Sequence, residues 1–264
     1  MPDDPILYQS DGMIATLTLN RPRNRNSMTP DVMNVFKDFI QRVRGEDSLR
    51  ALIITGSGNT FCSGADFRRS VLPDPSKMNI VAGQVRQFNI YKPFLELMQV
   101  EVPIIAAMNG HAIGGGLGLA MVCDLRVANA EAMYGANFSR LGLTSGMSTT
   151  YILPRLIGLP RAAELLFTGR LITGADAAAY GLVNYAEAPE EVLPKAQALA
   201  REIAEAAPIA VRLLKRSLYR GAEWNPVPHA EWESWVQSAT FETADSTEGI
   251  NALLEKRPPR FKGQ

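Results

Sequence analysis

Pro103-Ile104-Ile105-Ala106-Ala107-Met108-Asn109-Gly110-His111-Ala112-Ile113-Gly114-Gly115-Gly116-Leu117-Gly118-Leu119-Ala120-Met121 decides how this chain folds. Pro103–Met108 has no polar side chain, so it reads as a short strand buried on both faces. The stretch from Asn109 to Gly118 is rich in glycine, which lets a backbone turn tightly and approach another group closely. The apolar residues that follow, to about Met121, read as a buried helix. Strand, glycine loop and helix together make an α/β unit. The same grammar appears upstream. Ala51–Thr55 reads as a buried strand, and a glycine-bearing loop from Gly56 to Phe67 follows it. Leu125–Asn129 is a further strand downstream.

Outward from these units, Ile6–Ser10 and Met13–Leu19 alternate as strands around Asp11-Gly12, a hairpin signal. Thr29-Pro30-Asp31 opens a helix, with Thr29 expected to cap it and Met33, Phe36, Ile40 and Val43 as its apolar stripe. Arg68–Asn79, with Pro73 and Pro75, reads as irregular. A helix is predicted from Ile80, disturbed or ended near Pro93. Thr173 and Asp176 mark another helix start. Amphipathic segments cover Glu190–Glu205, Pro208–Arg220, His229–Phe241 and Asp245–Lys256. Strands alternate with helices early and helices dominate late, which predicts an α/β core followed by a helical appendage.

Composition narrows the function classes. Lysine plus arginine balances aspartate plus glutamate at 27 each, and there is no polybasic run. Nucleic acid and anionic membranes are therefore poor partners. No run of apolar residues is long enough to span a bilayer. Met1-Pro2-Asp3-Asp4-Pro5 lacks a signal peptide's apolar segment, so a cytoplasmic location is expected. Cys62 and Cys123 match no zinc or redox spacing and read as small buried hydrophobes in a reducing compartment.

The chemistry therefore rests on the two glycine loops, Phe61–Phe67 and Asn109–Gly118. Facing each other, they could aim two N–H groups at one oxygen, an oxyanion hole. The spacing also fits plain tight turns at strand ends. It does not fit a dinucleotide fingerprint, because Leu119 stands where the last glycine of that pattern belongs. No phosphate loop, nucleophile elbow or zinc helix is present. His111 and His229 are the only histidines. His111 reads as a satisfied loop residue and Asp124 as structural.

Five segments in order resemble the crotonase (enoyl-CoA hydratase/isomerase) superfamily. They are Asn20-Arg21-Pro22 with Arg25-Asn26-Ser27, then Phe61–Phe67, then Gly110–Gly118 with Cys123-Asp124-Leu125-Arg126. Leu153–Gly158 with Leu171–Gly181 follows, and Lys256–Phe261 ends the series. The resemblance covers nearly the whole chain. It implies an α/β spiral of repeated β-β-α turns over residues 1–200, with a helical trimerisation region over 201–264. It also implies an acyl-coenzyme A substrate, no cofactor beyond that coenzyme A moiety, no metal, and a homotrimer or hexamer. By motif position the amides of Ala65 and Gly115 are the oxyanion donors. Ser63, Ala65, Asp66 and Phe67 line the adenine and pantetheine path, with Gly114 beside Gly115. Arg25 lies near the phosphates, and Phe261 and Lys262 complete the nucleotide site. Hydratases of this family use two glutamates, and their positions hold Gly118 and Phe138 here. That departure leaves open a substitute base, decarboxylation of a malonyl-type thioester, or acyl-CoA binding without turnover.

Overall fold

The computed structural model describes residues 4–66 and 80–264. Strand β1 (Ile6–Ser10) and strand β2 (Ile14–Leu19) form the expected antiparallel hairpin. Helix α1 (Pro30–Arg44) buries Val32, Met33, Phe36, Ile40 and Val43. Thr29 sits at its N-cap position, but its side chain makes no capping hydrogen bond. Strand β3 (Ala51–Gly56) then pairs parallel to β2.

A winding follows in which each turn adds one strand to each of two sheets. Strands β4 (Thr60–Cys62), β6 (His111–Ile113) and β8 (Met133–Gly135) are parallel neighbours in the small sheet. Antiparallel β9 (Ile172–Thr173) closes that sheet. The large sheet continues from β3 to β5 (Ile104–Met108), β7 (Leu125–Asn129) and β10 (Tyr185–Glu187), all parallel. Helix α2 (Ile80–Leu95) links β4 to β5, with Pro93 near its end. Helix α3 (Gly115–Met121) links β6 to β7. Helices α4 (Thr149–Ile157), α5 (Leu159–Thr168) and α6 (Gly174–Ala179) follow β8. A reciprocal Thr173–Asp176 capping box starts α6, as its sequence predicts.

The large sheet is covered on both faces, which is why its strands lack polar alternation. Leu52, Ile54, Ile104 and Ala106 face the main core. Ala51, Ile53, Ile105, Ala107 and Val127 face helix α7 (Val192–Ala204) through Val192, Ala196 and Ala200. Residue 200, where the core was expected to end, lies inside this helix. Cys62 and Cys123 are buried and free, and burial pushes both thiols up to about 12. Among the described residues no helix is long and apolar enough to cross a membrane.

Three helices end the chain: α8 (Pro208–Gly221), α9 (Pro226–Phe241) and α10 (Ala244–Glu255). Helix α8 is inside out. Its buried residues are Lys215 and Ser217, whereas Leu214 and Leu218 face outward. Lys215 donates to Asp124 at 2.7 Å and to the Val102 carbonyl at 3.0 Å. Asp124 also accepts from the Ile104 amide and the Tyr219 hydroxyl. Burial, with Asp124 beside it, holds the Tyr219 phenol far above its ordinary range. Asp124 is thus structural, and it pins α8 to the start of β7. Removing one partner of a buried ion pair strands the other charge. Lys215→Met should cost about 3 kcal/mol of stability. Urea denaturation checks this, and an unchanged midpoint would refute it.

Candidate functional site

The ends of β4 and β6 meet because their strands pair, and that pairing brings the two glycine loops together. Gly64 has φ +78°, and a Cβ there would lie 2.9 Å from the Gly115 nitrogen and 2.8 Å from the Ile113 carbonyl oxygen. A Cβ on Gly116 would overlap the Cys62 carbonyl oxygen. Only glycine allows the loops to approach this closely. The Met28 amide donates to the Gly64 carbonyl at 2.8 Å, and Met28 forms an isolated parallel bridge with Ala65. The Gly114 amide donates to the Gly135 carbonyl. Gly115 then opens α3, where the first amides have no intrahelical acceptor. Among the described residues the Ala65 amide also donates to no acceptor. Ala65 is exposed and Gly115 half-buried, so a ligand atom can reach both.

The segment from Asn20 to Ser27 buttresses the first loop. Asn26 is buried with φ +53°; its side chain accepts from the Arg21 amide and donates to the Ser57 and Thr60 carbonyls. The neighbouring Arg25 carbonyl accepts from the Ser63 amide at 3.0 Å, and the Arg25 side chain is left exposed. Asn24 donates to Asp66 at 3.1 Å. Asn109 does the same work for the second loop, accepting from the Gly56 amide and donating to the Gly58 carbonyl.

Apolar groups flank the paired loops. The Met28 sulfur would lie 3.4 Å from a Cβ on Gly115, and the Phe138 ring 3.6 Å from one on Gly114. The Asn137 carboxamide oxygen is beside the same position, at 3.8 Å. Gly118, fully buried one turn along α3, is covered by Met147, whose Cβ would be 2.7 Å from a Cβ added there. Tyr91 of α2 packs its hydroxyl on Gly146, and burial raises its phenol above the ordinary value.

The structure therefore brings Arg25, Ser63, Ala65, Asp66, Gly114, Gly115, Gly118 and Phe138 to one end of the spiral. Phe67 lies outside the described residues. Phe261 and Lys262 are elsewhere in the chain. Arg50, just before β3, donates to the Phe261 carbonyl, and the Lys262 amide donates to Asp245. β3 runs roughly 20 Å from there to Gly56 and the loops. His111 opens strand β6 rather than lying in a loop as its sequence suggests, and its Nδ1 accepts from the Met133 amide. Among the described residues no cluster of three or more histidine, cysteine or acidic side chains could hold a metal. Met28 escaped the sequence reading as a site neighbour, because only contact in three dimensions assigns it.

Turns of two strands and a helix, wound so that glycine loops meet at one end, are the architecture of the crotonase superfamily. Within it, the chain belongs to the enoyl-CoA hydratase/isomerase family, which matches residues 9–264. It is 34% identical over 255 residues to the short-chain-enoyl-CoA hydratase of Clostridium acetobutylicum, covering 96% of this chain and 95% of that one. It is 36% identical to the crotonyl-CoA hydratase of Syntrophomonas wolfei, over 97% of both chains. An enoyl-CoA hydratase structure from Bacillus anthracis superposes with a TM-score of 0.91 at 33% identity, covering 98% of this chain and all of that one.

Proposed function

We propose that this protein binds an acyl-coenzyme A thioester and stabilises its enolate between the amides of Ala65 and Gly115. One observation carries the reading: Gly64 packs on Gly115, so the Ala65 and Gly115 amides, neither with an acceptor among the described residues, lie on adjoining loops. Fixed donors aimed at a developing oxyanion need no reorganisation during the reaction, and each is worth about 10²–10³ in rate. Arg25, exposed beside the first loop, is available to the coenzyme A phosphates. Ser63, Ala65, Asp66 and Phe67 would follow the pantetheine and adenine. Phe261 and Lys262, distant within one chain, would have to reach a nucleotide site in a neighbouring copy.

Neither hydratase carboxylate is present in this reading, since Gly118 and Phe138 occupy their positions. A decarboxylation reading is favoured by the lining of Met28, Phe138 and Met147. Such surroundings disfavour a carboxylate and activate no water, so loss of carbon dioxide from a malonyl-type thioester leaves the enolate for the two amides. The test is to incubate the protein with crotonyl-, malonyl- and methylmalonyl-CoA and identify products by mass. A decarboxylated product with little hydration is expected. A thioester-bound structure with its carbonyl oxygen away from both amides would overturn the reading.

We further propose a trimer or a dimer of trimers. Helix α9 buries no residue within its own chain, and Trp235 is 77% exposed, Leu218 74% and Leu253 79%. Leu213 and Trp232 are partly covered by the chain itself, whereas Leu214, Trp235 and Phe241 are exposed. Apolar surface of this extent marks an interface, and closed symmetry satisfies it. Light scattering should give three or six times the 28.9 kDa chain mass. A monomer at micromolar concentration would contradict this.

A further inference from the structure

Met147 fills the space over Gly118, and its backbone is held there against local preference. It has φ +58° and Ser148 has φ +53°, so two consecutive non-glycine residues are left-handed. L-residues avoid this region, and such strain persists only where surrounding structure over-determines it. Here both sides are fixed. Tyr91 packs against Gly146, and the Thr149 hydroxyl and amide both donate to the Gly146 carbonyl. Ser148 accepts from Tyr151 and Ile152 at the start of α4. The Met147 side chain is 2% exposed and lies along Gly118, with Cβ, Cγ and Cε at 2.7, 3.1 and 3.2 Å from a Cβ added to that glycine.

Gly118 is three residues after Gly115, so it shares the face of α3 that begins at the Gly115 amide. An acyl chain leaving a thioester held at that amide meets the methionine after roughly one helical turn, about 5 Å. Phe138 closes the side next to Gly114. We infer that Met147 is a specificity-determining plug: it closes the acyl pocket at Gly118 and restricts the protein to coenzyme A thioesters of short acyl groups. This rests on the proposed thioester position between Ala65 and Gly115. The limit is about four carbons, the length that one turn of helix accommodates.

The experiment is calorimetric titration with acetyl-, butyryl-, hexanoyl- and octanoyl-CoA. Wild-type affinity should stop rising beyond butyryl-CoA. Met147→Gly, which suits the left-handed backbone, should raise the ratio of octanoyl- to acetyl-CoA affinity at least tenfold over that of wild type. Met147→Leu, which keeps the volume, should retain the wild-type profile. A wild-type affinity that climbs about fourfold per added methylene through octanoyl-CoA would overturn the plug, as would an unchanged profile in folded Met147→Gly. Should that variant fail to fold, the wild-type series decides by itself. If wild type binds none of the four thioesters, the placement between Ala65 and Gly115 falls and takes the plug with it. If all four bind with steadily rising affinity, the plug alone falls.

Discussion

Gly64→Ala should lower turnover of the thioester substrate by about 10²–10³ while leaving the chain folded. The added Cβ would meet the Ile113 carbonyl oxygen at 2.8 Å and the Gly115 nitrogen at 2.9 Å, and both are backbone atoms. A flexible side chain could swing away, but these can yield only if β6 or the start of α3 moves. Displacement by even an ångström separates the Ala65 and Gly115 amides from the geometry that serves one oxygen, and errors of that size cost about 10² in rate. The residue also has φ +78°, which adds about 1 kcal/mol of strain for alanine. Gly12→Ala is the control. It carries the same kind of strain at φ +96°, but its Cβ would have nothing within 4 Å. It should lose some stability and keep full turnover. Equal turnover by the two variants would remove the paired loops from the chemistry.

The long elements were legible because their patterns are local. The alternation of β2 and the stripe of α1 match their burial, and the apolar run of β3 is covered on both faces. The small sheet was not legible. Its strands β4, β6 and β8 have three residues each, too few to show a period, and they exist only through pairing with one another. The site inherits this division. Glycine loops and motif residues can be read along the chain, but the approach of Gly64 to Gly115 depends on the β4–β6 pairing. Met147 stands between Gly146 and Ser148, and nothing local in the sequence aims it at Gly118. Helix α8 breaks the usual link between an apolar stripe and the chain's own core. Its apolar stripe is clear, yet the face turned to the chain's own core is the one with Lys215 and Ser217. Phe261 and Lys262 show the limit of motif order, which carries no information about which end of β3 they occupy.

Wild-type protein should hydrate crotonyl-CoA poorly, and placing glutamates at positions 118 and 138 should fail unless Met147 is also changed. Water addition needs a base for the water and an acid for the α-carbon, each worth about 10²–10⁴. Gly118 and Phe138 supply neither. In Gly118→Glu/Phe138→Glu the first new side chain has no room. Its Cβ would stand 2.7 Å from the Met147 Cβ, an atom fixed directly to the backbone rather than a mobile chain end. Forcing it in would displace α4 or α3, and with α3 the Gly115 amide. Adding Met147→Gly removes the obstructing atoms and replaces a strained left-handed residue with one that tolerates φ +58°. Two carboxylates in one partly apolar pocket repel, so one is held protonated and the other ionised, an acid and a base together. The triple variant should therefore hydrate crotonyl-CoA at least ~10²-fold faster than wild type, the contribution of one such group. The double variant should be no faster than wild type and less stable. Rapid hydration by the wild type would place the acid and base on other residues. Rapid hydration by the double variant would show that Met147 yields, and that the space over Gly118 is open.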